Sequence, residues 1–157
     1  MTDNDFQRAQ AELLEWLAIP SISTLPERAG DVRRAAEWLN KKLEGIGFDT
    51  QILETAGHPV VYAEMLKAVG APTVLLYGHY DVQPVDPIGE WTSDPFAPIV
   101  RDGEIVARGS TDDKGQVYAH VKALEIMLQD GGELPVNLKI LIEGEEEIGS
   151  PNLEAFV

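Results

Sequence analysis

The stretch TVLLYGHYD, residues 73–81, carries the strongest signal for the fold. Its first five residues, 73–77, are largely apolar without alternation, which is typical of a central strand covered on both faces of a sheet. A second apolar run over residues 136–142 has the same character. The sequence therefore predicts two buried strands, and acidic or histidine side chains follow both of them directly.

Helices and further strands are predicted around these two runs. Apolar residues at helical spacing predict helices over residues 5–19, 31–47 and 115–129. Pro20 ends the first helix, Asp31 caps the second, and short β-like runs cover residues 49–54, 60–65 and 104–107. We expect residues 84–103, with Trp91 and Phe96, to form a long ordered loop. The order predicts an α/β protein, a layered α/β/α domain with a largely parallel central sheet.

The composition excludes several classes of function. The 157 residues are 44% hydrophobic, which is enough for one core, and carry 12 basic against 27 acidic side chains. The resulting charge of -15 repels phosphate backbones and anionic membranes, so we expect neither nucleic acid nor a membrane as a partner. With no cysteine, no signal-peptide pattern and no membrane-spanning run, a soluble cytoplasmic protein is expected.

The first polar cluster is His79 with Asp81, directly after the strand over 73–77. In an extended backbone residues i and i+2 face the same way, so both side chains can reach one crevice. A metal-bound imidazole usually donates its second N–H to a carboxylate, and this spacing could supply both groups. Taken alone, the pair is more often an ordinary histidine beside an aspartate.

The second cluster, residues 109–115, lies where a strand gives way to a helix. This is the usual place for a site in an open α/β sheet, and a carboxylate such as Asp112 can bridge two cations. In the alternative interpretation, Thr111 or Asp112 merely caps the following helix. No phosphate-binding loop and no serine nucleophile motif occur in the chain.

The third cluster, Glu143–Glu147, contains four carboxylates in five residues after the strand over 136–142. These charges repel one another unless cations or solvent relieve them, and a solvated acidic turn would explain the run by itself. Three strand ends that offer His, Asp and Glu together favour a metal site. Such ligands suit zinc, manganese or cobalt.

The motifs GHYDVQPV, EWTSDPFAP, ARGSTDDKG and EGEEEIGS, in this order, resemble the M20 family of metallopeptidases. The dipeptidase and carnosinase-like branch is the most similar, and residues 19–23 also fit it. Ala107 stands where the family usually has glycine, for which we expect a minor backbone effect. The resemblance implies metal-dependent hydrolysis of dipeptides or short N-acyl amino acids.

The resemblance also implies a role for each site residue. His79 would ligate one metal, with Asp81 holding its imidazole. Asp112 would bridge two divalent ions, zinc or alternatively manganese or cobalt, about 3.5 to 4 Å apart. Glu146 would be the general base and Glu147 a ligand of the second ion. The remaining glutamates of the run, 143 and 145, would not touch the metal.

Further expectations concern the peptide geometry and the missing ligands. The Asp112–Asp113 peptide bond is expected to be cis, as it often is in the family. The family completes its site with another acidic ligand and a distal histidine, and His58 and His120 do not match that position. We expect His58 in a turn and His120 in packing on its helix.

Residues 1–157 are expected to be the N-terminal part of the catalytic domain, without the lid domain or the C-terminal part, because Ser150-Pro151 starts a helix that has no room to continue. The full-length parent would be a homodimer acting on small peptides, whereas residues 1–157 alone, which carry only part of the site, are expected to be inactive. An alternative stays open, in which the chain is a non-catalytic metal-binding or interaction module with an exposed sheet edge.

Overall fold

The computed structural model describes residues 2–156. Three α-helices lie in this part of the chain: α1 (Asp3–Leu17), α2 (Ala29–Gly45) and α3 (Lys114–Leu128). The strands are β1 (Asp49–Leu53), β2 (Val60–Met65), β3 (Thr73–His79), β4 (Ile99–Arg101), β5 (Glu104–Val106) and β6 (Asn137–Glu143). Short 3-10 turns join several of these elements. None of the described helices is long and apolar enough to cross a membrane.

The main sheet has the strand order β1-β2-β6-β3 and confirms the α/β class. β1 pairs with β2 and β2 with β6 in antiparallel fashion, whereas β3 and β6 run parallel, with His79 opposite Glu143. The sheet is therefore mixed, and the prediction of a largely parallel sheet is wrong. A short turn reverses the chain between β1 and β2, whereas the crossover through α3 returns it in the same direction between β3 and β6.

The described helices cover one face of this sheet. Ala63 and Ile140, which are register partners, lie in a single core with residues of all three helices. On the other face Leu75 is 57% exposed and Tyr77 is 54% exposed. The described part of the chain is therefore two-layered, and the expectations of an α/β/α sandwich and of a β3 covered on both faces are not met in it. No described helix packs against the second face.

The start of α2 differs from the prediction. The 3-10 turn Pro26–Arg28 runs directly into the helix, which begins at Ala29 with Arg28 at the cap position. Asp31 lies inside the first turn and contacts Arg28 at 2.9 Å. The preceding turn already sets the entry of the chain, so Asp31 does not serve as the cap.

The predicted loop over residues 84–103 is shorter than expected. Its last residues form β4, which pairs with β5 in an antiparallel hairpin around Asp102 and Gly103. Both turn residues have positive φ, 55° and 84°, as in the type I′ turns that are common in two-residue hairpins. The aromatic part of the loop does pack: the Trp91 indole N–H donates to the Val85 carbonyl at 2.9 Å.

A network of ion pairs joins the three helices around Glu12 on α1. Its carboxylate accepts from Lys42 of α2 and from Lys122 of α3, each at 2.7 Å, and from the Tyr118 hydroxyl. Burial raises the pKa of Glu12, but these three hydrogen bonds lower it by a larger amount. The resulting pKa is about 2, below the ordinary value of 4.5. The charged form of Glu12 is therefore the one that the folded protein favours.

Candidate metal centre

The three polar clusters meet at one edge of the sheet. β3 and β6 are parallel neighbours, so their carboxyl ends, His79 and Glu143, lie side by side. The 3-10 turn Glu146–Ile148 follows β6, and the loop over residues 109–113 leads into α3 beside β3. The crevice outside the carboxyl ends of such strands is where open α/β sheets place their ligands.

The predicted ligand residues come together in this crevice. His79, Asp112 and Glu147 each offer one ligand atom, and these atoms all lie within 4.8 Å of one another. The Nε2 of His79 is 3.0 Å from Oδ1 of Asp112, whose side chain is 70% exposed. One imidazole nitrogen and two carboxylate oxygens form a donor set that zinc commonly takes.

The imidazole of His79 is held by its other nitrogen. Nδ1 lies 3.1 Å from the carbonyl oxygen and 3.3 Å from the carboxylate of Asp81, which leaves Nε2 directed at Asp112. Burial lowers the pKa of His79, but the hydrogen bond and charge of Asp81, with the charges of Asp113 and Glu146, raise it to about 9. The site therefore favours positive charge at this position, whether carried by a proton or by a bound cation.

Asp81 connects both halves of the centre. Its carboxylate is 0% exposed. Besides facing the His79 imidazole, it accepts from the backbone N–H of Glu146 at 3.2 Å and of Glu147 at 3.1 Å. The hydroxyl of Ser23 donates to it at 2.6 Å. One buried carboxylate thus orients the histidine from β3 and the acidic turn after β6.

The loop that carries Asp112 has a tightly constrained backbone. The Asp112–Asp113 peptide bond is cis, as the resemblance led us to expect. A Cβ at Gly115 would lie 2.0 Å from the Ser110 carbonyl oxygen, so only glycine fits there. Asp113 occupies the cap position of α3 without a side-chain capping bond. The alternative in which Thr111 or Asp112 caps the helix is therefore wrong.

The acidic run after β6 divides into two environments. Glu143 and Glu145 are buried, and each accepts from protein donors: Glu143 from the Tyr77 and Ser150 hydroxyls, Glu145 from the His58 backbone N–H at 3.0 Å. Two carboxylates of the run are thus fixed in the interior, which the interpretation as a solvated acidic turn does not explain.

Glu146 is a second accessible carboxylate beside the histidine, after Asp112. Its side chain is 45% exposed, and its Oε2 lies 3.8 Å from Nε2 of His79.

Ser150, expected to begin a helix, instead has a φ of 52° and turns its hydroxyl toward Glu143. Among the described residues that follow it, the chain forms the short 3-10 turn Leu153–Phe156.

Two residues at the centre, and one buried lysine directly after the Asp112 loop, were not singled out by the sequence. Ser23 contacts Asp81, as described above. Gln83 donates its amide N–H to Oε2 of Glu147 at 2.8 Å. Lys114 is fully buried and donates to the Trp16 and Ile19 carbonyls at 3.1 and 2.8 Å, and burial lowers its pKa to about 7. Lys114 follows the acidic motif directly, which is the one local signal that could have drawn attention to it.

The other histidines lie outside this cluster. His58 is in the turn before β2, as expected, with Nε2 3.1 Å from the Ser23 carbonyl oxygen. His120 is exposed on α3, so the expected packing role beside Val117 and Leu124 is not met. The helix turns this position outward although Val117 and Leu124 on the same helix are buried.

Comparisons with known proteins point to one family. Residues 75–157 match the family model described as peptidase family M20/M25/M40. A cysteinylglycine-S-conjugate dipeptidase from Corynebacterium striatum is 39% identical over 144 residues, covering 91% of this chain and 31% of that protein. The human Beta-Ala-His dipeptidase is 43% identical over 158 residues, covering 92% of this chain and 31% of that protein.

A solved structure shares the fold as well as the sequence. The M20 family metallo-carboxypeptidase from Sulfolobus solfataricus superposes with a TM-score of 0.87 at 41% identity, over 99% of this chain and 34% of that one. The chain thus spans about a third of the length of the proteins it matches, 31% of each of the two dipeptidases.

Proposed function

The chain belongs to peptidase family M20/M25/M40, and on this basis we propose that the protein hydrolyses dipeptides or short N-acyl amino acids in a metal-dependent reaction. The observation that carries the proposal is the convergence of His79, Asp112 and Glu147 within 4.8 Å. Relatives named as dipeptidases and a metallo-carboxypeptidase support it. They do not favour the alternative of a non-catalytic module.

The proposed cofactor is a pair of divalent ions, zinc or else manganese or cobalt. His79 and Glu147 would each hold one ion, and Asp112 would lie between them. The donor set fits this role because the histidine is fixed through Nδ1 by Asp81 and leaves Nε2 for a metal. Carboxylate and imidazole donors suit all three metals.

In the proposed mechanism, Glu146 carries out the proton transfers. When bound, the ions would supply Lewis-acid polarisation of the scissile carbonyl and increased acidity of the attacking water. Glu146 takes the proton of that water and later delivers it to the leaving amine. Its exposed carboxylate and its position beside His79 suit this task, and Asp81 holds the backbone of the turn that carries it.

The proposal extends to the whole protein. Residues 1–157 would be the N-terminal part of a catalytic domain whose lid and C-terminal part complete the site, in a homodimer that acts on small peptides. The coverage of about 31% of the relatives supports a longer parent. The chain has no cysteine, which suits a reducing compartment such as the cytoplasm.

A hydrolysis assay tests the proposed function. The full-length parent, after metal removal with a chelator, is given zinc, manganese or cobalt together with Cys-Gly, β-Ala-His or an N-acyl amino acid. We expect amide hydrolysis that depends on added metal. Hydrolysis that persists in full after metal removal would contradict the proposal, and metal binding by the full-length parent without hydrolysis of any of these substrates would favour the module instead.

A further inference from the structure

The hydroxyl of Ser23 is buried close to the centre of the metal-site network. Its Oγ is 2.6 Å from Oδ2 of Asp81, and both residues are buried. The hydrogen bond joins residues 58 positions apart in the chain. A hydroxyl that donates to a buried carboxylate makes a charge-assisted hydrogen bond, which is stronger than a bond between neutral groups.

The two carboxylate oxygens of Asp81 have different hydrogen-bond partners. Oδ1 faces the Nδ1 of His79 at 3.3 Å and the N–H of Glu146 at 3.2 Å. Oδ2 accepts from the N–H of Glu147 at 3.1 Å and from Ser23. Without the hydroxyl, Oδ2 keeps one of its two donors. The carboxylate is then held less firmly in the orientation that serves the histidine and the acidic turn together.

Ser23 is itself held firmly in place. Residue Ile22 forms a parallel bridge with Val82, and the Val82 N–H donates to the Ser21 carbonyl at 3.0 Å. The segment over 21–23 therefore runs beside residues 80–82 as a short extension of the sheet edge. This backbone pairing fixes the hydroxyl relative to Asp81 before any ligand binds.

We propose that Ser23 is a positioning residue of the metal centre, whose hydroxyl locks the Asp81 carboxylate so that His79 and the Glu146–Glu147 turn keep their relative places. The inference rests on the proposed function, because it concerns how well the centre holds a divalent ion. Residues that orient ligands from outside the coordination sphere typically contribute about 10- to 100-fold to metal affinity.

The chain offers a matched control for this role. Ser21 lies in the same segment, is equally buried, and donates its hydroxyl to the Tyr80 carbonyl at 2.7 Å. Ser21→Ala therefore removes a buried hydrogen bond of similar length from the same pair of segments, but leaves the donors to Asp81 intact. A general loss of stability would affect both variants, whereas a loss of ligand orientation would affect only Ser23→Ala.

The experiment measures zinc affinity by competition with a chromophoric chelator for the wild type, Ser23→Ala, Ser23→Thr and Ser21→Ala, with urea unfolding of the metal-free proteins beside it. We expect Ser23→Ala to weaken zinc binding about tenfold, Ser23→Thr to recover most of that loss, and Ser21→Ala to stay within about twofold of the wild type. Similar urea midpoints of the two alanine variants would show that their stability is comparable.

Two results would overturn the inference, and a third would refute the metal site on which it rests. Zinc affinity of Ser23→Ala within about twofold of the wild type, or an equal loss in Ser21→Ala, would show that the Ser23 hydroxyl does not position the centre. In either case the proposed metal site would stand, provided that His79→Ala abolishes binding. Zinc binding that survives His79→Ala would refute the site itself and this inference with it.

Discussion

At the scale of single residues, neighbouring carboxylates differ because their surroundings differ. Glu143 and Glu145 have turned inward to protein donors, while Glu146 remains 45% exposed beside His79. Glu147 shares its carboxylate with the amide of Gln83 and lies among the candidate ligands. The roles proposed for these adjacent glutamates, Glu146 as the base and Glu147 as a ligand, can be distinguished by substitution.

In the full-length parent, Glu146→Gln should abolish turnover and leave metal binding nearly unchanged. The amide keeps the size of the side chain but cannot take a proton from water, so we expect a loss of about 10²- to 10⁴-fold in kcat. Hydrolysis rates and metal content of the same preparation provide the measurement. Glu147→Gln is the matched control, and it should lose metal as well as turnover. Preserved turnover in Glu146→Gln would exclude it as the base.

Asp81→Asn should weaken metal binding without changing the size of the side chain. One of the two oxygens becomes an NH₂ group, which faces backbone N–H donors of Glu146 or Glu147 instead of accepting from them. We expect a loss of about 10- to 100-fold in zinc affinity, measured by chelator competition. Affinity equal to that of the wild type would mean that this carboxylate does not orient the ligands.

At the scale of elements, the approach of the Asp112 loop to α3 depends on one glycine. Gly115→Ala would bring a Cβ to 2.0 Å from the Ser110 carbonyl oxygen, so the loop or the helix must shift. We expect about 2 kcal/mol or more of lost stability by urea unfolding, together with weaker metal binding.

Gly30→Ala is the matched control for that substitution. Gly30 lies in α2, and a Cβ added there would have nothing within 4 Å of it, so alanine should be neutral or add about 0.5 kcal/mol through helix propensity. Equal effects of the two substitutions would show that the close contact at Gly115 does not constrain the loop.

Local patterns predicted most elements but not their arrangement. Helical spacing predicted α1, α2 and α3 to within a few residues, whereas β4 was missed although Asp102-Gly103 is a typical hairpin turn. Strand direction and the covering of each face depend on which distant segments pack together. The apolar run of β3 therefore suggested two covered faces, but one remains exposed in the described residues.

The same distinction explains how much of the site could be predicted. His79, Asp112 and the acidic run stand at the ends of predicted elements, and their convergence follows from the topology. Ser23 donates a hydrogen bond to Asp81, and Gln83 donates one to Glu147, in each case across more than 50 positions of the chain. Nothing in the local sequence of either residue indicates its partner. Their roles became visible only through the hydrogen bonds of the folded chain.

At the scale of the whole molecule, the network around Glu12 should link stability to pH. The ordinary pKa of Glu12 is 4.5 and its folded value is about 2. A lowered folded pKa means that the stabilisation is fully present above about pH 5 and is lost as the pH falls toward 2. We expect Glu12→Gln to cost about 2 to 3 kcal/mol at neutral pH, and much less near pH 2.

Urea unfolding across this pH range checks the prediction, with Glu37→Gln as the control. Glu37 pairs with Arg33 at 3.1 Å on an open helix surface, and such exposed pairs contribute less than about 1 kcal/mol. A difference between wild type and Glu12→Gln that does not shrink in acid would contradict the assigned role of the network.

The central proposal, that the ends of β3 and β6 and the loop before α3 form one metal centre, can be checked by zinc titration. The wild type is compared with His79→Ala, Asp112→Ala and the control His120→Ala, whose side chain is exposed on α3. We predict that zinc binds to the wild type and to His120→Ala with the same affinity, and that either ligand substitution weakens binding by about 100-fold or more. Zinc affinity that is unchanged by both ligand substitutions would contradict this centre.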